Sequence, residues 1–394
     1  MSRRELFDVV VVGAGMVGSA AALVLIRQGL RVALVEERVP APWLVGDEVD
    51  LRVVALAPSS IKLFEDLDVW TSIRSARASA YRRMRVWDAN AAGELNFDAA
   101  DRGDAALGYI VENRLIQHVL WQALSTSSAT LFCPAKIVGL ESAEQARVVV
   151  LADGTRLRTR LVIAADGLAS PLREWSGIAT AGHAYDQRAV VANVRTERAH
   201  EHTAWQRFLP GGPLAFLPLA DGRCSIVWSA PTHEAERLLA LDTTAFCAEL
   251  GAAFDFRLGA ITACSTRASF PLRLQLAERY IAERLVLIGD AAHVVHPLAG
   301  QGVNLGLRDV TALCDVLERA VDNERDPGSV STLRAYERQR RSENALAGWG
   351  FDAIQRLFGN HSAPLAVVRG LGLTALNCLG PIKQRLMDHA AGRR

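Results

Sequence analysis

Three glycines near the start of the chain have the spacing of a phosphate-binding turn. Gly13, Gly15 and Gly18 follow the apolar run 7–12 and precede a small-residue stretch. In a G-x-G-x-x-G turn, the first glycine permits the bend, the second lets the backbone approach a pyrophosphate, and the third allows close helix–strand packing. The helix N-terminus then favours phosphate oxygens. Glu36 ends the next apolar run and can accept hydrogen bonds from ribose, so the pattern predicts FAD or NAD(P) rather than a tight turn without ligand.

Two further candidate motifs follow predicted strands. Asp166 and Gly167 come directly after the run LVIAA and open the stretch DGLASPLR. Gly289 and Asp290 come directly after RLVLI. A carboxylate at the carboxyl end of a buried strand lies where α/β sheets bind ligands, and it can accept hydrogen bonds from a polyol chain. Each motif alone is also consistent with a turn or a helix N-cap that binds nothing.

The loop after Asp290 has residues that suit a flat ring. Pro297 stiffens the loop, and Gly300 and Gly302 let its backbone pass close to a planar ligand. The helix predicted from Gly302 would direct its amide groups at that ring, where they stabilise the negative charge of a reduced flavin. His296 has two interpretations, an acid–base group in the cavity or a structural histidine, and we favour the second.

A parallel sheet is needed to bring these residues together. The apolar runs 7–12 and 31–35 flank a predicted helix over 19–28, which is a β-α-β unit with a right-handed crossover. Further predicted elements are a helix over 112–125, a hairpin over 147–165 that turns at Asp153 and Gly154, strands over 204–230, a strand over 284–289, a helix from Gly302, and helices from 331 onward. We therefore expect an α/β fold, with a nucleotide-binding domain interrupted by a domain of antiparallel strands.

Composition excludes several classes of protein. The 394 residues suffice for about two domains with a large core. Apolar residues make up 50% and charged residues 22%, which excludes a disordered chain, and a net charge of +1 argues against nucleic-acid binding. The start lacks the features of a signal peptide. The six cysteines are scattered without a CxxC pair, which argues against a disulfide framework or a zinc site. No apolar run reaches the roughly 18 residues of a transmembrane helix. We expect a cytoplasmic protein without a metal site.

The three motifs, in this order and spacing, resemble those of the single-component FAD-dependent aromatic hydroxylases of the para-hydroxybenzoate hydroxylase fold. The stretch 296–306 with Asp309 is similar to the signature of the ubiquinone-biosynthesis hydroxylases within that group. The segments 50–70, 110–121, 205–219 and 383–392 share this similarity, which covers essentially the whole chain. The resemblance implies a Rossmann-like FAD-binding domain with an inserted antiparallel β-sheet substrate domain and C-terminal helices.

The resemblance also implies a set of cofactor-binding residues. They are Gly13, Ala14, Gly15, Gly18, Glu36, Arg52, Gln117, Asp166, Gly167, Gly289, Asp290, Pro297, Gly300, Gln301, Gly302, Val303 and Asn304. Arg52 would lie near the diphosphate, or else be a surface arginine. Asn113 or Arg114 could serve in place of Gln117, because the register of that helix is open. Arg173 would close the second motif, or form a surface ion pair.

The family's activity is the hydroxylation of a phenol. The resemblance implies that NAD(P)H reduces FAD, that O2 forms a flavin C4a-hydroperoxide, and that the phenol ring attacks its distal oxygen. Our leading hypothesis is ring hydroxylation of a polyprenylated phenol in ubiquinone biosynthesis. The alternatives are a hydroxylase of a soluble aromatic compound, a flavin reductase that transfers no oxygen, and a flavin-binding structural partner. The sequence singles out no phenol-activating base.

The resemblance divides the chain into three regions. The FAD-binding domain would comprise 1–75, 101–180 and 273–330, and the substrate domain 76–100 and 181–272. Trp205, Phe208, Phe216 and Trp228 would either line an apolar cavity or form the core of the inserted sheet. The region 331–394 carries ten basic and four acidic residues, which suits contact with the inner face of a membrane or with a biosynthetic complex, or simply a solvated helix face.

Overall fold

The computed structural model describes residues 6–296 and 302–359, positions 370, 372, 374, 375 and 377, and residues 379–392. Its α-helices are α1 (Met16–Arg27), α2 (Pro58–Asp66), α3 (Trp70–Arg77), α4 (Asn113–Ser125), α5 (Pro171–Trp175), α6 (Thr232–Ala240), α7 (Thr243–Ala253), α8 (Gly302–Asp322), α9 (Val330–Phe358) and α10 (Gly380–Ala391). Short 3-10 turns lie at Ala99–Arg102 and Gly289–Ala291. Within these residues, no helix has the length and apolar character to cross a membrane.

The strands are β1 (Leu6–Val12), β2 (Val32–Val35), β3 (Val53–Leu56), β4 (Ser79–Tyr81), β5 (Arg83–Asp88), β6 (Glu94–Asp98), β7 (Gly108–Glu112), β8 (Thr130–Phe132), β9 (Ile137–Ala143), β10 (Ala146–Leu151), β11 (Arg156–Ala164), β12 (Thr180–Thr196), β13 (Thr203–Leu209), β14 (Gly212–Pro218), β15 (Cys224–Pro231), β16 (Ile261–Cys264), β17 (Ala268–Ala277), β18 (Ile281–Ala282), β19 (Leu285–Leu287) and β20 (His293–Val294).

An eight-stranded sheet forms the first half of the architecture. Its centre is the parallel run β8-β2-β1-β11-β19, and β18, β9 and β10 add antiparallel pairings. Val9, Val10 and Val11 of β1 have no exposed surface, as expected of a strand covered on both faces. Helix α1 crosses from β1 to β2 and contacts α4 and α8. The predicted β-α-β unit is confirmed, and the three motifs follow β1, β11 and β19 at the same edge of the sheet.

A second, nine-stranded sheet faces that edge. Its order is β20-β17-β12-β15-β14-β13-β5-β6, with β16 beside β12, and every pairing is antiparallel except β13 with β5. Helices α6 and α7 share a buried apolar core with one face of this sheet. Strands β3, β7 and β4 form a small antiparallel sheet. Residues of these strands and of the nine-stranded sheet form a second apolar cluster. A space lies between the eight-stranded and the nine-stranded sheet, and it is lined by residues that follow strands of the first and by residues in strands of the second.

The division into domains stays a proposal. Strands β5, β6 and β13 to β16 fall in the ranges proposed for the substrate domain, which supports it. Strands β17 and β20 carry the same sheet past position 272, so the last boundary separates sequence ranges and does not separate sheets. Beyond Ser329 the described chain is largely helical, which agrees with the proposed C-terminal region.

Candidate active site

The glycine turn after β1 combines tight packing with an open front. Gly13 has a φ of 104°, and a methyl group on it would lie 2.3 Å from the carbonyl oxygen of Ala165. A methyl group on Gly18 would lie 2.0 Å from the carbonyl oxygen of Gly13. A methyl group on Gly15 would meet nothing within 4 Å. Two of the glycines are thus needed for packing inside the protein, and the middle one faces the space that a pyrophosphate would occupy.

Glu36 and Gln117 hold this turn from two sides. Glu36 Oε2 accepts a 2.6 Å hydrogen bond from the amide of Ala14, and Gln117 Nε2 donates a 3.1 Å hydrogen bond to the carbonyl oxygen of Ala14. Glu36 directly follows β2, as predicted. Arg114 is turned away from the turn and pairs with Asp47 at 2.8 Å.

Asn113 is a further candidate residue on α4. It lines the same space as Gly15, and its buried Oδ1 has no hydrogen-bond partner among the described residues. An unpartnered buried acceptor costs free energy, so a bound ligand with donor groups would stabilise it. Helix α4 therefore offers two polar residues one turn apart, Asn113 toward the ligand space and Gln117 toward the glycine turn.

The second motif is partly buried and is joined to the third. Asp166 Oδ2 accepts a 3.2 Å hydrogen bond from the amide of Leu172, whereas its buried Oδ1 has no partner in the described part of the chain. Burial raises the pKa of the Asp166 carboxyl. Arg173 is buried and donates 2.9 Å hydrogen bonds to the carbonyl oxygens of Leu168 and Ala291. The interpretation of Arg173 as a surface ion pair is therefore wrong, since it links the two motifs from inside.

The 3-10 turn after β19 presents Asp290 to the same space. Asp290 and Arg52 both line it, and the Arg52 guanidinium lies 5.3 Å from the ring centre of Phe270. Asp290 is exposed to this space; the protein atoms around its carboxyl reduce its hydration and raise its pKa, while the charges of His293 and Arg52 act in the opposite direction. Asp290 is thus an acceptor held where a polyol chain can reach it, as its position after the strand predicts.

The N-terminus of α8 supplies the next side of the site. Gly302 and Val303 line the space, as predicted. The side chain of Asn304 does not, because its oxygen accepts hydrogen bonds from Ala57 (2.9 Å) and Ser60 (2.7 Å) and its nitrogen donates to Ala55 (2.8 Å). The side chain of Asn304 therefore ties α8 to the start of α2, and its backbone amide, in the first turn of α8, is the group it can offer a ligand. Pro297, Gly300 and Gln301 lie outside the described residues.

These residues surround one cavity of about 480 Å³. This is the size of many small-molecule sites. At one end are the glycine turn, Asn113, Gly167 and Asp290. At the other end, the nine-stranded sheet contributes Ala189, Val191, Ala215, Leu217, Val227, Phe270 and Leu272. The open front of Gly15, the side-chain oxygen of Asn113 that has no partner among the described residues, and the N-termini of α1 and α8 fit FAD at the polar end.

The four aromatic residues singled out in the sequence, Trp205, Phe208, Phe216 and Trp228, belong to the apolar core around the nine-stranded sheet. Phe216 and Trp228 are buried with α6 and α7 on the far face of the sheet, where Phe216 stacks on Phe254 at 3.8 Å between ring centres. Trp205 packs edge-on against Trp87. In β14, Ala215 and Leu217 face the cavity, so the residue between them must face away. Phe208 is buried and stacks on Phe358 of α9 at 4.1 Å between ring centres. None of the four aromatics is among the described residues that line the cavity, so the interpretation of these residues as core is correct.

His296 is buried, and its ring packs against that of Tyr185. Its ring centre lies 5.2 Å from that of Tyr185, edge to face. Neither ring nitrogen has a hydrogen-bond partner among the described residues, and burial lowers the pKa of His296 to about 4. The ring is neutral near pH 7, as favoured for a structural histidine. Among the described residues, no group of histidine, cysteine and acidic side chains could hold a metal ion.

Comparison with known proteins identifies the family. Residues 7–347 match the family described as FAD binding domain. The 3-demethoxyubiquinol 3-hydroxylase of Escherichia coli (strain K12) is 37% identical over 386 residues, 98% of each chain. The ubiquinone hydroxylase UbiL of Rhodospirillum rubrum is 38% identical over 392 residues, 99% of this chain and 91% of that protein.

A solved structure shares the fold. The crystal structure of PqsL of P. aeruginosa in complex with 2-aminobenzoylacetate superposes with a TM-score of 0.77 at 24% identity, over 92% of this chain and all of PqsL. At this identity the likeness concerns the fold alone. The two full-length relatives and the family match carry the assignment further, and they confirm what the motifs predict. The chain belongs to the FAD binding domain family and, within it, to the ubiquinone-biosynthesis hydroxylases of the para-hydroxybenzoate hydroxylase fold.

Proposed function

We propose that this protein is a FAD-dependent monooxygenase that uses NAD(P)H and O2 to hydroxylate the aromatic ring of a polyprenylated phenol in ubiquinone biosynthesis. Two relatives that match along nearly the whole chain are named as hydroxylases of ubiquinone or a ubiquinol, which supports the substrate class. The observation that carries the proposal is the continuity of the cavity. One space joins a polar end that suits FAD to an apolar wall that suits an aromatic ring.

The polar end would hold the cofactor. Bound FAD supplies the redox chemistry that activates oxygen. The amide groups at the start of α1, in front of Gly15, would bind the diphosphate, and Glu36 would accept hydrogen bonds from a ribose. Asp290 would accept hydrogen bonds from ribityl hydroxyls. The amides of Gly302 and Val303 at the start of α8 would stabilise negative charge on the ring system.

The apolar wall would bind the substrate ring and exclude water. Ala189, Val191 and Ala215 have small side chains, which leaves room for a planar ring between the sheet and the cofactor end. An aliphatic wall keeps water from the reacting atoms and strengthens electrostatic interactions inside the cavity. We propose that NAD(P)H docks transiently near Asp166 and Gly167, because the sequence contains no second glycine turn for a nicotinamide cofactor.

Oxygen transfer can be tested with labelled O2. Purified holoenzyme with NADH or NADPH and a prenylated phenol is expected to form a hydroxylated product that carries one 18O atom from 18O2. NAD(P)H oxidation that yields only hydrogen peroxide, with every phenol tested, would identify a flavin reductase instead. Turnover of small soluble phenols in preference to prenylated ones would contradict the substrate class and leave the hydroxylase activity standing.

Helix α9 carries the proposed membrane contact. Leu346 and Trp349 of α9 are exposed, with 71% and 46% of their surfaces accessible, and the exposed arginines Arg338 and Arg341 precede them on the same helix. Apolar side chains next to arginines suit the surface of an anionic bilayer. We propose that the protein works in the cytoplasm at the inner face of the membrane, where a polyprenyl substrate resides.

A further inference from the structure

Asp309 is a buried carboxylate between the cofactor turn and the C-terminal helix. It has no exposed surface, and its two oxygens face different elements. Oδ2 accepts hydrogen bonds from the amide of Gly289 (3.1 Å) and from Nε2 of His293 (2.5 Å). Oδ1 accepts hydrogen bonds from Nε of Arg340 (2.8 Å) and Nδ2 of Asn344 (3.0 Å). One carboxylate thus joins the turn that carries Asp290 to α9.

Arg340 supplies the charge that balances Asp309. It is 2% exposed although it is an arginine, and it also bonds to Oδ1 of Asn344 (2.6 Å) and pairs with Glu343. Burial alone would raise the pKa of Asp309, but the charges and hydrogen bonds of His293 and Arg340 outweigh burial and lower it. The carboxylate is therefore ionised and accepts from all four donors. Charge-assisted hydrogen bonds of this kind are short and directional.

The residues on the Oδ2 side belong to the cofactor site. Gly289 directly precedes Asp290, and His293 lines the cavity. Gly289 has a φ of 59°, a conformation that its bond to Asp309 helps to hold. A change in the orientation of the Asp309 carboxylate would move both bonds at once, and with them the turn that presents Asp290. Nothing on α9 itself lines the cavity among the described residues.

We propose that Arg340 is a positioning residue for the cofactor site, which acts through Asp309 to hold the Gly289–Ala291 turn in its binding conformation. The proposal rests on the FAD site described above. It makes α9 part of the cofactor-binding machinery, although the helix lies outside the three motifs. The competing explanation is that the network only fastens α9 to α8, in which case it contributes to stability and leaves FAD affinity unchanged.

FAD titration of the apoprotein separates the two explanations. Flavin fluorescence quenching is measured at a temperature far below the unfolding midpoint of every variant, with folding checked by circular dichroism. Arg340→Leu is expected to weaken FAD binding by about tenfold or more, because it unpairs a buried carboxylate. Arg340→Lys is expected to have a FAD affinity between those of the wild type and Arg340→Leu, because an ammonium group keeps the charge but lacks the forked geometry of a guanidinium. Arg334→Leu, at an exposed arginine of the same helix, is the matched control and should bind FAD like the wild type.

A double variant keeps the test decisive if Arg340→Leu does not fold. Asp309→Asn with Arg340→Met removes both buried charges, so the fold should tolerate it better than the single change. The neutral amide oxygen of the asparagine is a weaker acceptor for Gly289 and His293 than the carboxylate, so FAD binding should remain weakened. Wild-type FAD affinity in a folded Arg340→Leu or in the double variant would overturn the inference. Failure of the wild-type apoprotein to bind FAD would instead contradict the cofactor site itself.

Discussion

His296 illustrates how burial decides the role of a single side chain. A histidine that stays neutral in the folded state and takes up a proton on unfolding destabilises the protein as the pH falls. The pKa of His296 is about 4 in the folded state and 6.5 in the unfolded state. The contribution of His296 to the free energy of unfolding is therefore complete above pH 6.5 and falls by about 3 kcal/mol down to pH 4. At pH 5 the loss is about 2 kcal/mol.

His296→Phe should remove this pH dependence. The phenyl ring keeps the contact with Tyr185 and removes the two ring nitrogens, which have no hydrogen-bond partner among the described residues. Urea unfolding of both proteins at pH 7 and pH 5 is expected to show the variant gaining about 2 kcal/mol relative to the wild type at the lower pH. Hydroxylation near pH 7 should be retained. A large loss of activity with FAD still bound would revive the acid–base interpretation.

Gly15 and Gly18 make a matched pair for the cofactor turn. Gly15→Val places its side chain in open space, so the apoprotein should unfold near the wild-type temperature but bind no FAD, because the side chain blocks backbone approach to the diphosphate. Gly18→Ala should instead destabilise the apoprotein, since its methyl group would meet the carbonyl oxygen of Gly13. Thermal unfolding and flavin absorbance of the purified proteins check both. Full flavin occupancy in Gly15→Val would contradict the placement of the pyrophosphate.

At the scale of elements, β14 has two functionally different faces. Ala215 faces the cavity and Phe216 the core with α6 and α7. Ala215→Phe should fill the substrate end, which raises the KM for the phenol or abolishes hydroxylation while FAD stays bound. Phe216→Leu should leave the KM unchanged and lower the free energy of unfolding by on the order of 1 kcal/mol. Steady-state kinetics and urea unfolding distinguish the two, and equal effects on KM would contradict the assignment of faces.

The same strand shows where sequence patterns stop being informative. All residues of β14 are buried, so no alternation of polar and apolar side chains marks the face toward the cavity. The β-α-β unit, the helix over 112–125 and the hairpin turning at Asp153 and Gly154 were predictable because each depends on local spacing and turn chemistry. The network of Asp309 and Arg340 depends on packing between separate helices, which no local pattern records.

The candidate site was predictable to the same extent. Gly15, Gly167 and Asp290 lie where strand ends place them, and all line the cavity. Asn304 belongs to the same stretch, but its side chain bonds to α2 and the preceding strand, contacts that a motif does not reveal. The sequence allows either Asn113 or Gln117 as the polar residue of α4 near the cofactor. In the structure Asn113 lines the cavity, whereas Gln117 donates a hydrogen bond to the glycine turn.

At the scale of the whole molecule, membrane contact can be tested with two exposed tryptophans. Trp349 on α9 and Trp175 on α5 are 46% and 44% exposed. Trp349→Glu should reduce flotation with vesicles that contain anionic lipid, because it places a charge in the apolar contact, whereas Trp175→Glu should not. Neutral vesicles should bind less of the wild-type protein. Equal flotation of the two variants, or none by the wild type, would contradict the proposed contact through α9.

A deletion strain tests most directly whether the protein hydroxylates a ubiquinone precursor in the cell. Removing the gene and profiling quinones by mass spectrometry should show less ubiquinone and an accumulated polyprenylated precursor that lacks one ring hydroxyl. The wild-type gene should restore ubiquinone, and a gene for Gly15→Val should not. NMR of the purified precursor would identify the ring position, because positional isomers have the same mass. Normal ubiquinone with no accumulated precursor, in a strain without a second such hydroxylase, would contradict the account.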